Sequence, residues 1–122
     1  MADDPADLVS AYYEILQGGA QSYDPQRLRL ILVPDLDFDG PIAGHIRGAD
    51  RFTRGVAGFI ETQHGIRFLQ QEITPDAAAV LYDADLPGGT LRFAEFFWFG
   101  GGKITSITLL YDPGRYTAFG GR

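Results

Sequence analysis

Glu95 is the residue of this chain best placed to do chemistry. It lies within Leu91 to Phe99, a run whose residue types and alternation are those of a β-strand. Successive strand residues point to opposite sides. Leu91, Phe93, Glu95, Phe97 and Phe99 therefore share one face, and Arg92, Ala94, Phe96 and Trp98 share the other. Glu95 is thus a carboxyl flanked on its own face by two phenylalanines. Removal from water disfavours a carboxylate, so its pKa rises, and a raised carboxyl can donate a proton or a hydrogen bond at neutral pH. The competing reading leaves Glu95 exposed, or paired with an arginine of a neighbouring strand. A slip of one residue exchanges the inward and outward lists.

Other candidates are fewer. His45 sits in the loop Gly44-His45-Ile46-Arg47-Gly48, and histidine titrates near neutral pH; the competing reading is a solvated loop histidine. Asp37 and Asp39 alternate with Leu36 and Phe38, so a bulge or a one-residue slip would be needed to turn Asp39 to the Phe38 face. His64, before Gly65 at a helix end, reads as a favourable charge at a helix C-terminus. With no cysteine and only two separated histidines, disulfides, thiolate chemistry and a metal site are not expected. The run Gly100-Gly101-Gly102 joins two strands and does not open a helix, so it reads as a turn and not as a phosphate-binding loop. No serine is framed as a nucleophile elbow. Asp83 and Asp85 lie across a hairpin from Arg92, an expected cross-strand ion pairing. No cofactor is implied.

The totals bound the partners. The chain has 122 residues and a formal charge of −6, with a pI near 4.6. That length is one domain, read here as spanning residues 1–122. Such acidity argues against nucleic acid and against an anionic membrane surface, both of which are held by Lys and Arg. Met1-Ala2-Asp3-Asp4-Pro5 carries no apolar signal core, and the apolar runs are short for a membrane span, so a cytoplasmic location is expected.

The elements that must position these groups follow in order. Asp4-Pro5 opens a helix over 5–18, with Leu8, Tyr12, Ile15 and Leu16 on its apolar face. Asp24-Pro25 opens a second over Pro25–Leu32, ended by Pro34. A short strand covers Asp35–Asp39, a loop follows, and a third helix runs from Ala49 to about Glu61 with Phe52, Val56, Phe59 and Ile60 as its buried stripe. Strands are then expected at 66–73, 77–86, 91–99 and 103–111, separated by Pro- and Gly-rich turns. Short connections make that set an antiparallel meander.

This order resembles the nuclear transport factor 2-like superfamily, and within it the SnoaL-like and ketosteroid isomerase-like branch. The resemblance rests on Tyr12-Tyr13-Glu14-Ile15-Leu16-Gln17-Gly18, on Leu32-Val33-Pro34-Asp35-Leu36-Asp37-Phe38, and on Gly40-Pro41 through Gly48 to Phe52. It continues in Glu95-Phe96-Phe97, Gly102-Lys103-Ile104 and Leu110-Tyr111-Asp112, and so covers nearly the whole chain. It implies a cone-shaped α+β fold in which three N-terminal helices pack on a curved antiparallel sheet around an apolar pocket. The Glu95 face then points inward with Phe38, Phe93 and Phe97. Ile107, Leu109 and Tyr111 of the last strand join them, and Tyr12, Phe52 and Phe59 close the cone.

Glu95 and Tyr12 fall at the positions of the isomerase's oxyanion-hole acid and tyrosine. The isomerase's base position falls on Gly40, which leaves His45 or Asp39 as the base. Limonene epoxide hydrolase is less similar: one of its acids falls on Leu109. The fold hosts isomerases, cyclases, hydrolases and non-catalytic binders alike. The expected function is a pocket for a small apolar molecule, polyketide-, terpenoid- or steroid-like. Glu95 would act there as acid or oxyanion donor, Tyr12 as hydrogen-bond donor, and His45 or Asp39 as base. The alternative is a non-catalytic ligand-binding or dimerisation module. Phe96 and Trp98, facing out, point to a homodimer through the open sheet face.

Overall fold

The computed structural model describes residues 4–122; Met1, Ala2 and Asp3, the start of the stretch read as lacking a signal core, lie outside the described residues. Three helices begin alike. Asp4, Asp24 and Asp112 each have extended backbone and accept from an amide of the first helical turn, and each is followed by proline. The side chain satisfies an amide that has no partner within the helix, and proline needs no donor at that position. So begin α1 (Pro5–Gln17), α2 (Pro25–Arg29) and α4 (Pro113–Ala118). A fourth helix, α3 (Ala49–Thr62), starts from Gly48 at φ 113°.

Six strands complete the chain: β1 (Leu32–Gly40), β2 (Gly44–Arg47), β3 (Ile66–Ile73), β4 (Ala77–Leu86), β5 (Gly89–Gly100) and β6 (Lys103–Leu110). Several of these differ from the sequence reading. The second helix ends at Arg29, and β1 begins at Leu32 and runs through Pro34. The ladder between β1 and β6 is interrupted between Leu32 and Asp37, so Pro34 sits where no amide donor is required. The loop holding His45 is itself a strand, β2, paired antiparallel with β1. The helix α4 was not expected at all, although its Asp112-Pro113 start repeats the pattern of the first two.

The strands form one open, curved sheet in the order β2-β1-β6-β5-β4-β3. Strands β3 to β6 are the expected antiparallel meander, but β1 lies parallel to β6, which makes the sheet mixed. Both glycines of the last hairpin turn, Gly101 and Gly102, have positive φ, at 60° and 78°. That is the two-residue turn whose twist matches the flanking strands.

The sheet has one buried and one exposed face. Along β4 every second residue is buried, Ala78, Val80, Tyr82, Ala84 and Leu86. Along β5 the buried set is Leu91, Phe93, Glu95 and Phe97, while Arg92, Phe96 and Trp98 are exposed. Val80 stands opposite Glu95 and Tyr82 opposite Phe93 on one side; Leu109 stands opposite Glu95 and Ile107 opposite Phe97 on the other. Helices α1 and α3 pack over this inner face. None of the described helices is long and apolar enough to cross a membrane. Of the expected ion pairs, Asp83 holds Arg92 at 2.8 Å, but Asp85 turns to Arg67 of β3, also at 2.8 Å.

Candidate functional site

Tyr12 and Tyr13 are adjacent on α1, so their side chains leave the helix about 100° apart. Their rings meet edge to face with centroids 5.0 Å apart. The two hydroxyls close on one carboxyl: Tyr12 donates to Glu95 Oε2 at 2.7 Å and Tyr13 donates to Oε1 at 2.6 Å. Phe97 presses edge-on against the Tyr12 ring at 5.2 Å, and Tyr82 and Phe68 pack against the Tyr13 ring. Both phenols are thereby held in place to meet Glu95, which is 1 % exposed.

Two opposing effects act on that carboxyl. Burial penalises the anion, whereas the donors Tyr13 and Tyr12 stabilise it. Burial is the larger, and the Glu95 pKa is raised from 4.5 to about 7. Both protonation states are therefore populated at neutral pH. The same burial, with the Glu95 charge nearby, raises the pKa of Tyr12, Tyr13 and Tyr82, so all three remain protonated donors.

Glu95 lies on the wall of a cavity of about 220 Å³ between the inner sheet face and α1 and α3. Among the described residues it is the only acidic side chain of the lining. Of the residues expected to form the pocket, Phe38, Phe52, Phe59, Phe93, Leu109 and Tyr111 line it together with Tyr12. Phe97 and Ile107 do not. They are fully buried beneath it, where Phe97 supports the Tyr12 ring and Ile107 pairs with Phe38 and Phe97 across the ladders. Exposed Ile42, Ala43 and Arg122 mark the rim.

Neither expected base reaches this cavity. Leu36 and Phe38 point inward, so Asp37 and Asp39 point the other way, and Asp39 is exposed. No bulge turns it round: Asp39 pairs in register with His45 and Thr108. On β2, Ile46 faces the cavity and His45 faces solvent, where its Nε2 meets Asp37 Oδ1. Gly40 does line the cavity, but a side chain there has little room: an added Cβ would lie 3.0 Å from the Phe38 ring. Among the described residues, no three His, Cys, Asp or Glu gather as a metal site.

Sequence reading missed Tyr13, Tyr82 and Tyr116. The first was hidden by a single-stripe view of α1, yet Val9, Tyr13 and Leu16 form a second buried stripe at helical spacing. Tyr82 follows from the alternation of β4. Tyr116 lies on the unexpected α4 and lines the cavity, its hydroxyl donating to the carbonyl of Arg122 at 2.7 Å.

Fold and site together define a small α+β protein with one buried acid on an apolar cavity. The SnoaL-like domain model matches residues 9–107, and the chain belongs to that family, within the nuclear transport factor 2-like superfamily. Among solved structures, a protein from Kribbella flavida is similar with a TM-score of 0.83 at 22 % identity, over 95 % of this chain and 93 % of that one. A steroid delta-isomerase from Pseudomonas aeruginosa is similar with a TM-score of 0.76 at 18 % identity, over 94 % and 85 %. A nuclear transport factor 2-like protein of unknown function from Cytophaga hutchinsonii gives 0.74 at 18 %, over 96 % and 97 %. At these identities the likeness is one of fold. No match was found among the curated proteins.

Proposed function

We propose that this chain binds a small apolar molecule in its cavity and moves a proton on it, with Glu95 as the acid/base group. The observation that carries this reading is a fully buried carboxyl, its pKa raised to about 7, as the only acidic side chain among the described residues on an apolar wall. A group with a pKa near the working pH is an efficient proton carrier, because both of its forms are present. The sense of the hydrogen bonds makes Glu95 an acceptor, with Tyr12 and Tyr13 as donors that tune it, instead of Tyr12 donating to a substrate. Each carboxylate oxygen keeps a lone pair beyond the one its tyrosine occupies.

One carboxyl suffices for an isomerisation. It takes a proton from the carbon beside a carbonyl, leaving an enolate, and returns that proton to a different carbon of the conjugated system. A second base on Gly40, Asp39 or His45 is then unnecessary. Hydrolysis of an epoxide fits less well, since it calls for an activated water and a second acid. Carbonyl compounds of polyketide, terpenoid or steroid-like character fit the reaction. The resemblance in fold to a steroid delta-isomerase supports the reaction type.

Deuterium incorporation beside the carbonyl of simple cyclic ketones in D₂O, followed by proton NMR, tests this. Enzyme-dependent exchange is expected in the wild type and in His45→Ala, and is lost in Glu95→Gln. Exchange that persists in Glu95→Gln would sink the assignment.

The alternative is ligand binding without catalysis. It is favoured by one observation: both Glu95 oxygens already have a tyrosine partner, so the trio is complete as a core network. A wild-type protein that binds ketones but exchanges no proton would establish it.

Pairing of two copies through the outer sheet face belongs to the same proposal. Phe96, Trp98 and Leu110 lie together on that face, and Trp98 is 58 % exposed. Sedimentation equilibrium should give a dimer that Trp98→Arg dissociates; a monomeric wild type refutes it.

A further inference from the structure

Among the described residues, Tyr82 is the one cavity-lining tyrosine whose hydroxyl has no hydrogen-bond partner: Tyr12 meets Glu95, Tyr116 meets the carbonyl of Arg122, and Tyr111 meets the backbone of Ile42. Tyr82 is 1 % exposed. It lines the cavity, stacked on Phe93 with ring centroids 5.1 Å apart and 9° between the planes. The Tyr13 ring also meets it, edge to face, with centroids 5.5 Å apart. The ring is therefore held rigidly and has no partner to give up. That hydroxyl is open to the cavity, so a ligand oxygen there would take the place of water as its partner. Along the sheet, Val80 stands opposite Glu95 and Tyr82 lies two residues further on, so Tyr82 and Glu95 are diagonal neighbours on the same face. Both side chains therefore open on the same part of the cavity wall.

Size gives the second half. An apolar cavity of about 150 Å³ accepts benzene, so a cavity of about 220 Å³ encloses about nine non-hydrogen atoms. Pockets for drug-sized ligands measure about 300–1,000 Å³. A four-ring skeleton exceeds this volume and would have to project past the rim at Ile42, Ala43 and Arg122. Space is already taken inside by Phe38, whose ring covers Gly40, and by Phe52, against which it packs at 5.0 Å.

We infer that the ligand is a compact, oxygen-bearing monocyclic or bicyclic molecule, such as a cyclic ketone, whose oxygen accepts a hydrogen bond from Tyr82. This rests on the proposed acid/base reading of the same cavity and narrows it to a substrate class. Tyr82 then acts as a specificity determinant and as the donor to a developing enolate oxygen.

The test compares matched pairs by isothermal titration calorimetry: carvone with limonene, camphor with camphane, and 1-decalone with decalin, plus progesterone as the four-ring probe. In the wild type each ketone should bind about tenfold tighter than its hydrocarbon, the amount one well-formed hydrogen bond gives. Tyr82→Phe, which keeps the stacked ring, should bring that ratio close to one while leaving hydrocarbon affinity unchanged. Progesterone should bind more weakly than the bicyclic ketones. A ketone-to-hydrocarbon ratio unchanged by Tyr82→Phe overturns the assignment of Tyr82, and progesterone as the tightest ligand overturns the size class. Failure of every small ketone to bind overturns both. The acid/base reading fails separately, if wild type and Glu95→Gln exchange protons equally.

Discussion

Replacing Glu95 by Gln keeps the shape of the side chain and removes its ionisation, which turns a buried pKa into a measurable stability. The folded-state pKa of about 7 lies above the ordinary 4.5. The folded protein therefore holds this proton more tightly than the unfolded chain does. Below pH 4.5 both states are protonated and Glu95 adds no pH dependence. Between 4.5 and 7 the unfolded chain loses the proton first, so stability falls as pH rises, and it levels off above 7. At about 1.4 kcal/mol per pH unit, this interval amounts to about 3 kcal/mol.

Glu95→Gln should follow the wild type closely at pH 4.5 and exceed it by about 3 kcal/mol at pH 8. Urea unfolding followed by circular dichroism at the two pH values, at one protein concentration, measures both gaps. Taking the difference between the two proteins cancels the other carboxylates. Asp83 and Asp85, whose pKa values are lowered by Arg92 and Arg67, act below this window in any case. A gap between variant and wild type that is the same at both pH values, within about 0.5 kcal/mol, would refute the raised pKa and the acid/base role built on it.

Tyr13→Phe removes a donor that stabilises the Glu95 anion, so the carboxyl pKa should rise further, by about one to two pH units, since a hydrogen bond to a charged group contributes about 1.5–3 kcal/mol. Carbon-13 NMR of labelled glutamate reads this directly; an unchanged pKa would mean that the Tyr13 contact does not stabilise the anion. Gly55→Ala in α3 should raise stability by about 1 kcal/mol. Its added methyl meets no atom within 4 Å, and alanine is the better helix former, so thermal unfolding should move up by a few degrees. A lower midpoint would show that the added methyl meets a neighbour at the α3 wall of the cavity.

The parts of this protein that follow from local rules could be read from the residues alone. The Asp-Pro starts of α1 and α2 need only a side chain and the amides beside it, and Asp112-Pro113 carried the same signal for α4. Alternation put Glu95 with Phe93 and Phe97, and glycine pairs located the turns. The resemblance to SnoaL-like proteins rested on such features in order. Other outcomes depended on residues far apart in sequence. Glu95 meets Tyr12 and Tyr13 across separations of 83 and 82 residues, and nothing in the spacing of either segment announces that two adjacent phenols share one carboxyl. The parallel seating of β1 on β6, which joins the two ends of the sheet's chain path, decided that Asp39 and His45 face away from the cavity. Periodicity states which residues share a face, because it is a property of neighbouring backbone units. Which face loses its water is decided only when distant elements pack, and the pKa of Glu95 depends on that burial.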